Sequence, residues 1–276
     1  MEWGTLFTIA RQELTINIRN KWTIIFALVF GILVVSISYF GIMAEGFSGM
    51  QSFTRTSASL LNLVLYIVPL VALTMGTLSF TGDKGSTELL YAQPVSRAEV
   101  VFGKLLGVFS SIALSTLIGF AVAGTVILYA SGAYGFAKYV SFVLLTLALS
   151  LSFLSISLLV ATAYERKSKA FGVSLFLWFF FVLLYDLLAL GGTLLLKGET
   201  ANLFLFLSLF GNPVDMVRVA TLIILDNVTI FGVAGAALMR FLGGGTTGVL
   251  MLGCTLGAWI VLPLYLSHRI LSKQDI

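Results

Sequence analysis

Apolar residues fall along this chain in long unbroken blocks separated by short charged stretches. The hydrocarbon core of a bilayer is about 30 Å thick, and a helix crosses it in about 20 residues, because lipid offers no partner to an unpaired backbone amide. Residues 22–44, 56–82, 105–137, 139–164 and 241–267 are charge-free runs of this kind. Residues 170–196 contain Asp186 but are apolar enough on both sides of it to cross as well. The pattern predicts an all-α, polytopic membrane protein with six transmembrane helices, read as one transmembrane domain over residues 1–276.

Two regions carry helical periodicity without spanning. Within residues 1–21, Trp3, Phe7, Ala10, Leu14 and Ile18 recur at helical spacing, while Glu2, Arg11, Glu13 and Arg19 lie elsewhere on the wheel. This predicts an amphipathic elbow helix on the inner leaflet, the alternative being an extension of the first span. The first apolar run begins only after Lys21 and is too long for a signal core, so it is expected to stay in the protein. Within residues 197–240, the run 203–210 is too short to cross and the run 219–239 is broken by Asp226 and Asn227. Two short outer helices, on the surface or dipping into it, with Asn212-Pro213 as the turn between them, fit this periplasmic segment. A seventh and eighth span compete, but would place Arg218 and Asp226 in lipid at a cost on the order of a few kcal/mol.

Composition narrows the class. Apolar residues make up 59% of the chain and charged ones 10%, against about 25% charged in a soluble domain, so a soluble globular protein is excluded. Sixteen basic and twelve acidic residues leave a net charge of +4, with no basic stripe interleaved with aromatics, so lipid headgroups rather than nucleic acid are the expected contact. Arg11, Arg19, Lys21, Lys84, Arg97, Lys104, Arg166, Lys167, Lys169, Arg269 and Lys273 lie on one side of the predicted spans. Arg55, Lys138, Lys197, Arg218 and Arg240 lie on the other. Basic residues are retained inside, so both termini are expected in the cytoplasm. One cysteine, Cys254, permits no internal disulfide, and one histidine, His268, permits no zinc site of the Cys/His type.

The charged segment 83–104 carries the most specific signal. Gly85 can end the second span, residues 86–93 can form a short helix, Pro94 stops it, and Ser96 with Glu99 has the spacing of a capping box that starts the next helix. A short helix set crosswise between two spans is either a solvated turn or a docking element. Gly85, Glu88-Leu89-Leu90, Pro94-Val95-Ser96-Arg97 and Gly103-Lys104 resemble the corresponding stretch of the type-2 ABC exporter permeases. That resemblance implies a coupling helix fitting a groove on an ATPase subunit, formed here by Gly85, Ser86, Thr87, Glu88, Leu89, Leu90, Pro94, Val95, Ser96 and Arg97. It also implies the elbow helix, the six spans and the outer helices between spans five and six.

A narrower resemblance lies in residues 55–63 running into Pro69-Leu70, in residues 92–97 and in Asn212-Pro213-Val214-Asp215. These are similar to the NosY-like permease subunits of the transporter that serves copper-site maturation in nitrous oxide reductase. That resemblance implies a homodimer of this chain, a cytoplasmic ABC ATPase dimer and a periplasmic accessory protein met around Asn212, Pro213 and Asp215, in a bacterial inner membrane. The cargo it suggests is a sulfur-containing species moved to the periplasm. A lipid, peptide or copper species is the alternative cargo.

No G-x-x-x-x-G-K-[ST] sequence occurs, so the chain is expected to hold no cofactor of its own, with ATP and Mg on the partner ATPase. An intramembrane hydrolase would need paired catalytic groups, and Asp186 and Asp226 are each solitary in sequence. No catalytic residues and no metal ligands are therefore assigned. Met43, Met50, Met75, Met216, Met239 and Met251 show no spacing suited to Cu(I) conduction. Among polar residues within spans, Asn62 and Tyr66 are the candidates for a transport path. Ser59, Thr74, Thr77, Ser150, Ser152, Ser155 and Ser157 can line a cavity or bond their own backbone. Gly103 and Gly107, like Gly253 and Gly257, have the spacing of close helix crossings, while Gly191-Gly192 and Gly243-Gly244-Gly245 are hinges or helix ends.

Overall fold

The computed structural model describes residues 3–43, 49–81, 96–164, 166–225 and 232–273. These form helices α1 (Trp3–Ile18), α2 (Lys21–Met43), α3 (Gly49–Phe80), α4 (Arg97–Ala163), α5 (Lys167–Phe179), α6 (Tyr185–Leu195), α7 (Glu199–Ser208), α8 (Pro213–Ile224), α9 (Gly232–Phe241) and α10 (Gly245–Lys273). No strand occurs among the described residues. Among the described residues, six segments are long and apolar enough to cross a membrane: Lys21–Phe40, Ser59–Phe80, Ala98–Thr125, Phe136–Ala163, Lys167–Leu195 and Gly245–Ser272.

Two of these belong to α4. Along a straight helix, residues 120 and 139 would stand about 28 Å apart, yet Tyr139 Oη donates to the Phe120 carbonyl at 2.8 Å. The chain therefore doubles back within residues 126–135, and α4 is a hairpin of two spans. Phe120 meets Phe30, Tyr139 and Phe142 edge to face, with ring centroids 5.5, 5.9 and 5.6 Å apart. Gly124 lets the Tyr139 ring approach, since a Cβ there would come within 2.9 Å of its Cε1.

The third span begins at Ala98, earlier than the charge-free run, because the capping box forms. Ser96 Oγ accepts from the Glu99 amide at 3.3 Å, and the Ser96 amide donates to Glu99 Oε2 at 3.1 Å. The sixth begins at Gly245, later than its run, because Gly243 and Gly244 take φ of 73° and 108° and end α9. Gly191 and Gly192 lie inside α6, where Gly192 makes room for the Phe204 ring of α7.

The core centres on the packing of α3 against α4, with Phe30 of α2 and with Phe142, Phe153, Leu65 and Leu73 fully buried. The serines of the fourth span mostly bond their own helix, Ser150 to Leu147, Ser152 to Ala148, Ser155 to Leu151 and Ser157 to Leu154. Thr77 and Ser174 share a hydrogen bond of 2.6 Å that ties α3 to α5.

Helix α1 packs on α4 through Leu6, Ile9, Ala10 and Glu13, of which only Ala10 belongs to its apolar stripe. A Cβ on Gly103 would stand 2.8 Å from Ile9 Cβ, and one on Gly107 would stand 2.5 Å from Glu13 Cβ and 2.6 Å from the Ala10 carbonyl. Trp3 and Phe7 stay exposed. Gly253 and Gly257, with the same spacing, meet nothing within 4 Å.

Candidate functional site

The fifth span is interrupted. Between α5 and α6 the backbone makes a π-helical turn, Phe180–Leu184. Such a turn inserts one residue, disturbs the regular hydrogen-bond ladder and is frequent at functional sites. The Phe181 carbonyl in this turn accepts from Asn212 Nδ2 at 2.9 Å.

Asn212 is fully buried and serves three partners. Its amide also donates to Asp215 Oδ2 at 2.9 Å, and its Oδ1 accepts from the Val214 amide at 3.0 Å, capping α8. Pro213 occupies the first turn of α8, where a missing N–H costs nothing. The segments Glu199–Gly211 and Pro213–Ile224 meet here at 104°. Phe181 lies about 21 Å along the helix from Lys167 and about 21 Å from Leu195, so the Asn212-Pro213 bend is pinned near the middle of span five. The segment between spans five and six thus dips to mid-span depth. Asn212, Pro213 and Asp215, expected to meet an accessory protein, are turned inward and hold this bend.

Arg218 lies on α8 beyond the bend. Its Nη1 donates to Asp215 Oδ1 at 2.7 Å, three residues back on the same helix, and to Asp186 Oδ2 at 2.9 Å on α6. Two carboxylates thus face one guanidinium at a depth where an unpaired ion would be costly. Sequence reasoning treated Arg218 as a liability and Asp186 as solitary. The structure pairs them across 32 residues. The only local signal was the Asp215–Arg218 spacing, which puts both on one helical face. Asp226 lies outside the described residues.

Aromatic groups surround this cluster. The Phe181 ring meets Trp259 edge to face at 5.6 Å and Phe153 at 5.8 Å. Trp259 Nε1 donates to the Phe210 carbonyl at 3.0 Å, and Tyr185 Oη donates to the Ser208 carbonyl at 2.6 Å. Trp178 Nε1 donates to the Tyr66 carbonyl at 2.9 Å. The Tyr66 side chain is exposed and lies within electrostatic reach of Arg218, and Asn62, one turn away on α3, is exposed as well.

At the other end of the bundle, Gly85, Ser86, Thr87, Glu88, Leu89, Leu90, Pro94 and Val95 lie outside the described residues. Their flanks are well tied. Glu13 accepts from Ser79 Oγ at the end of α3 and from Asn17 Nδ2 on its own helix. Ser96 caps α4 and Arg97 begins it. Among the described residues, no three His, Cys, Asp or Glu side chains come together in a group able to hold a metal ion.

Residues 7–276 match the family model of the ABC-2 family transporter proteins. The chain belongs to that family. It is 33% identical over 282 residues to the probable ABC transporter permease protein NosY of Pseudomonas aeruginosa, covering 98% of this chain and 99% of the relative. To the probable ABC transporter permease protein NosY of Stutzerimonas stutzeri it is 32% identical over 286 residues, covering 98% of each. This ABC-2 chain is therefore the permease subunit of an ABC transporter, a transport component whose ATPase is a separate subunit.

Proposed function

We propose that this permease works as a homodimer in a bacterial inner membrane, with both termini in the cytoplasm. A cytoplasmic ATPase dimer docks on residues 85–97, and the exposed part of residues 197–240 receives a periplasmic accessory protein. Through ATP hydrolysis on the partner, the complex moves a sulfur-containing species to the periplasm for copper-site assembly of nitrous oxide reductase. The observation that carries the reading is end-to-end similarity to two NosY permeases in a chain with no nucleotide-binding sequence of its own.

The geometry supports the division of labour. Residues 82–95 join α3 to α4, the two elements that make the core, so a push there acts on the centre of the bundle. The exposed Trp3 and Phe7 give α1 an apolar face for the inner leaflet. Asn62 and Tyr66 are exposed one turn apart on span two, and Tyr66 lies within electrostatic reach of Arg218, where a path through the bundle would need polar groups. Met75 and Met216 are buried among apolar neighbours, as packing residues are, which favours a cargo other than bare Cu(I).

The test is co-expression with candidate ATPase and accessory subunits and purification by a tag on this chain. An ATPase should co-purify, and Glu88→Lys combined with Arg97→Glu should release it while the chain stays folded. Failure of any ATPase to bind would refute the coupling assignment. Radiolabelled sulfur reaching the maturing copper site equally well without the permease would refute the cargo.

A further inference from the structure

The segments around the bend differ in how firmly they are held. Helix α8 buries Val214, Met216, Val217, Ala220, Thr221, Leu222 and Ile223 in the core. Helices α6 and α7 bury no residue at all. They are instead fastened to each other, by Tyr185 Oη on the Ser208 carbonyl and by Phe204 seated on Gly192. Among the described residues, the hairpin they form meets the remainder at the π turn, at the Asn212 and Phe210 anchors beside it, at the Asp186–Arg218 bridge and at Phe206, whose ring lies 5.1 Å from that of Phe241 on α9.

These attachments are unequal. Asn212 is fully buried, so water cannot compete for its bonds. The bridge is less enclosed, with side-chain exposures of 28% for Arg218 and 43% for Asp186. Its partners can also separate without leaving the cation bare, because Arg218 keeps Asp215, its neighbour on the same helix. Ordinarily the loss of one partner from a buried pair costs several kcal/mol, because a charge is stranded. Here the second carboxylate removes most of that penalty, which gives the two-to-one ratio of acids to base a purpose.

We propose that α6 and α7 form a flap that swings about the π turn against a fixed α8, and that the Asp186–Arg218 bridge is the bond that closes it. Arg218 is then a positioning residue, held ready by Asp215 in both states, and Asn212 is the pivot. Tyr66 on α3 lies within electrostatic reach of Arg218, the residue that the flap releases when it opens. The proposal rests on the permease reading in one respect, that ATP hydrolysis by the partner drives the swing.

The test uses the full complex in lipid nanodiscs, in a Cys254→Ser background, with spin labels at Leu190→Cys on α6 and Leu250→Cys on α10, diluted with unlabelled protomers. Both positions are exposed, and α10 packs on α8. Leu190 stands about 12 Å along the helix from the π turn, so a swing of about 25° displaces it by about 5 Å. Trapping with ATP and vanadate should shift the 190–250 distance by an amount of that order, and Asp186→Asn should produce the shift without nucleotide. Arg218→Lys, which keeps a cation on α8, should hold the closed distance. A control pair at Leu144→Cys and Leu250→Cys should not move and reports that each variant is folded. Identical distances in Asp186→Asn and the parent overturn the latch, and a control pair that moves with the flap overturns the fixed α8. Because the Asp186→Asn comparison needs no nucleotide, it reads the latch even if no ATPase binds and the permease reading fails.

Discussion

Replacing Asn212 by alanine removes three hydrogen bonds from a side chain with no exposed surface. Loss of the cap on α8 costs about 1 kcal/mol. The bond to the Phe181 carbonyl links two helices at membrane depth, where measured interhelical hydrogen bonds contribute about 0.6–1.7 kcal/mol, less than burial alone suggests, because the unfolded chain in lipid also finds partners. Asp215 loses one donor but keeps Arg218, so its part is small. The sum is about 2 kcal/mol, measurable by reversible SDS unfolding in mixed micelles followed by tryptophan fluorescence. Asn212→Asp separates the contributions. An aspartate still caps Val214, but it has no donor for Phe181 and sets a further carboxylate beside Asp215. It should therefore destabilise at least as much as alanine. If Asn212→Asp unfolds like the parent while Asn212→Ala does not, the cap alone matters and the pinning of the π turn is refuted. Alanine within about 0.5 kcal/mol of the parent would refute the whole account, since surface changes fall in that range.

Gly107→Val should lift α1 off α4, because its Cβ would stand 2.5 Å from Glu13 Cβ and 2.6 Å from the Ala10 carbonyl. Tryptic cleavage at Arg11 or Arg19 should accelerate several-fold, while Gly253→Val, with open space around it, leaves the rate unchanged. Tyr139→Phe should cost about 1 kcal/mol through the lost bond to the Phe120 carbonyl, and Phe142→Ala about 3 kcal/mol through a cavity in the aromatic cluster, both read by the same SDS titration. Gly192→Val should loosen the α6–α7 hairpin, and Phe204→Ala in the same chain should restore its thermal stability.

The spans are legible in the sequence because transfer of a charge into lipid is costly enough to write itself as long charge-free runs. Their ends are less so, because local backbone chemistry decides them. The Ser96–Glu99 box starts the third span before its run begins, and it keeps Glu99 buried. Two glycines at positive φ delay the sixth. The apolar residues 126–137 belong mostly to the reversal inside α4, because apolarity reports depth and not direction. The apolar stripe of α1 is read as its leaflet face, whereas its packing face has no mark in that pattern. The packing follows Gly103 and Gly107, which admit backbone and the stem of Glu13 and leave Trp3 and Phe7 outward. The bend at Asn212-Pro213 was visible as turn chemistry, whereas the π turn has no sequence mark and the Asp186–Arg218 pair joins residues on different elements.

The two polar clusters at opposite ends of the bundle solve the same problem in lipid. Glu13 carries a charge next to α3 and α4 and is held by Ser79 from one helix and Asn17 from its own. Arg218 is held by Asp186 from one helix and Asp215 from its own. In each, one partner travels with the ion and the other belongs to a neighbouring element. An element that moves can then exchange the foreign partner while the native one remains, and neither Glu13 nor Arg218 is left bare. Between the clusters lie α3 and the two arms of α4, whose close packing resists compression and carries a displacement from end to end. Movable groups at both ends of a stiff centre are what a permease driven from residues 82–95 requires if an ATPase on one side is to open a flap on the other.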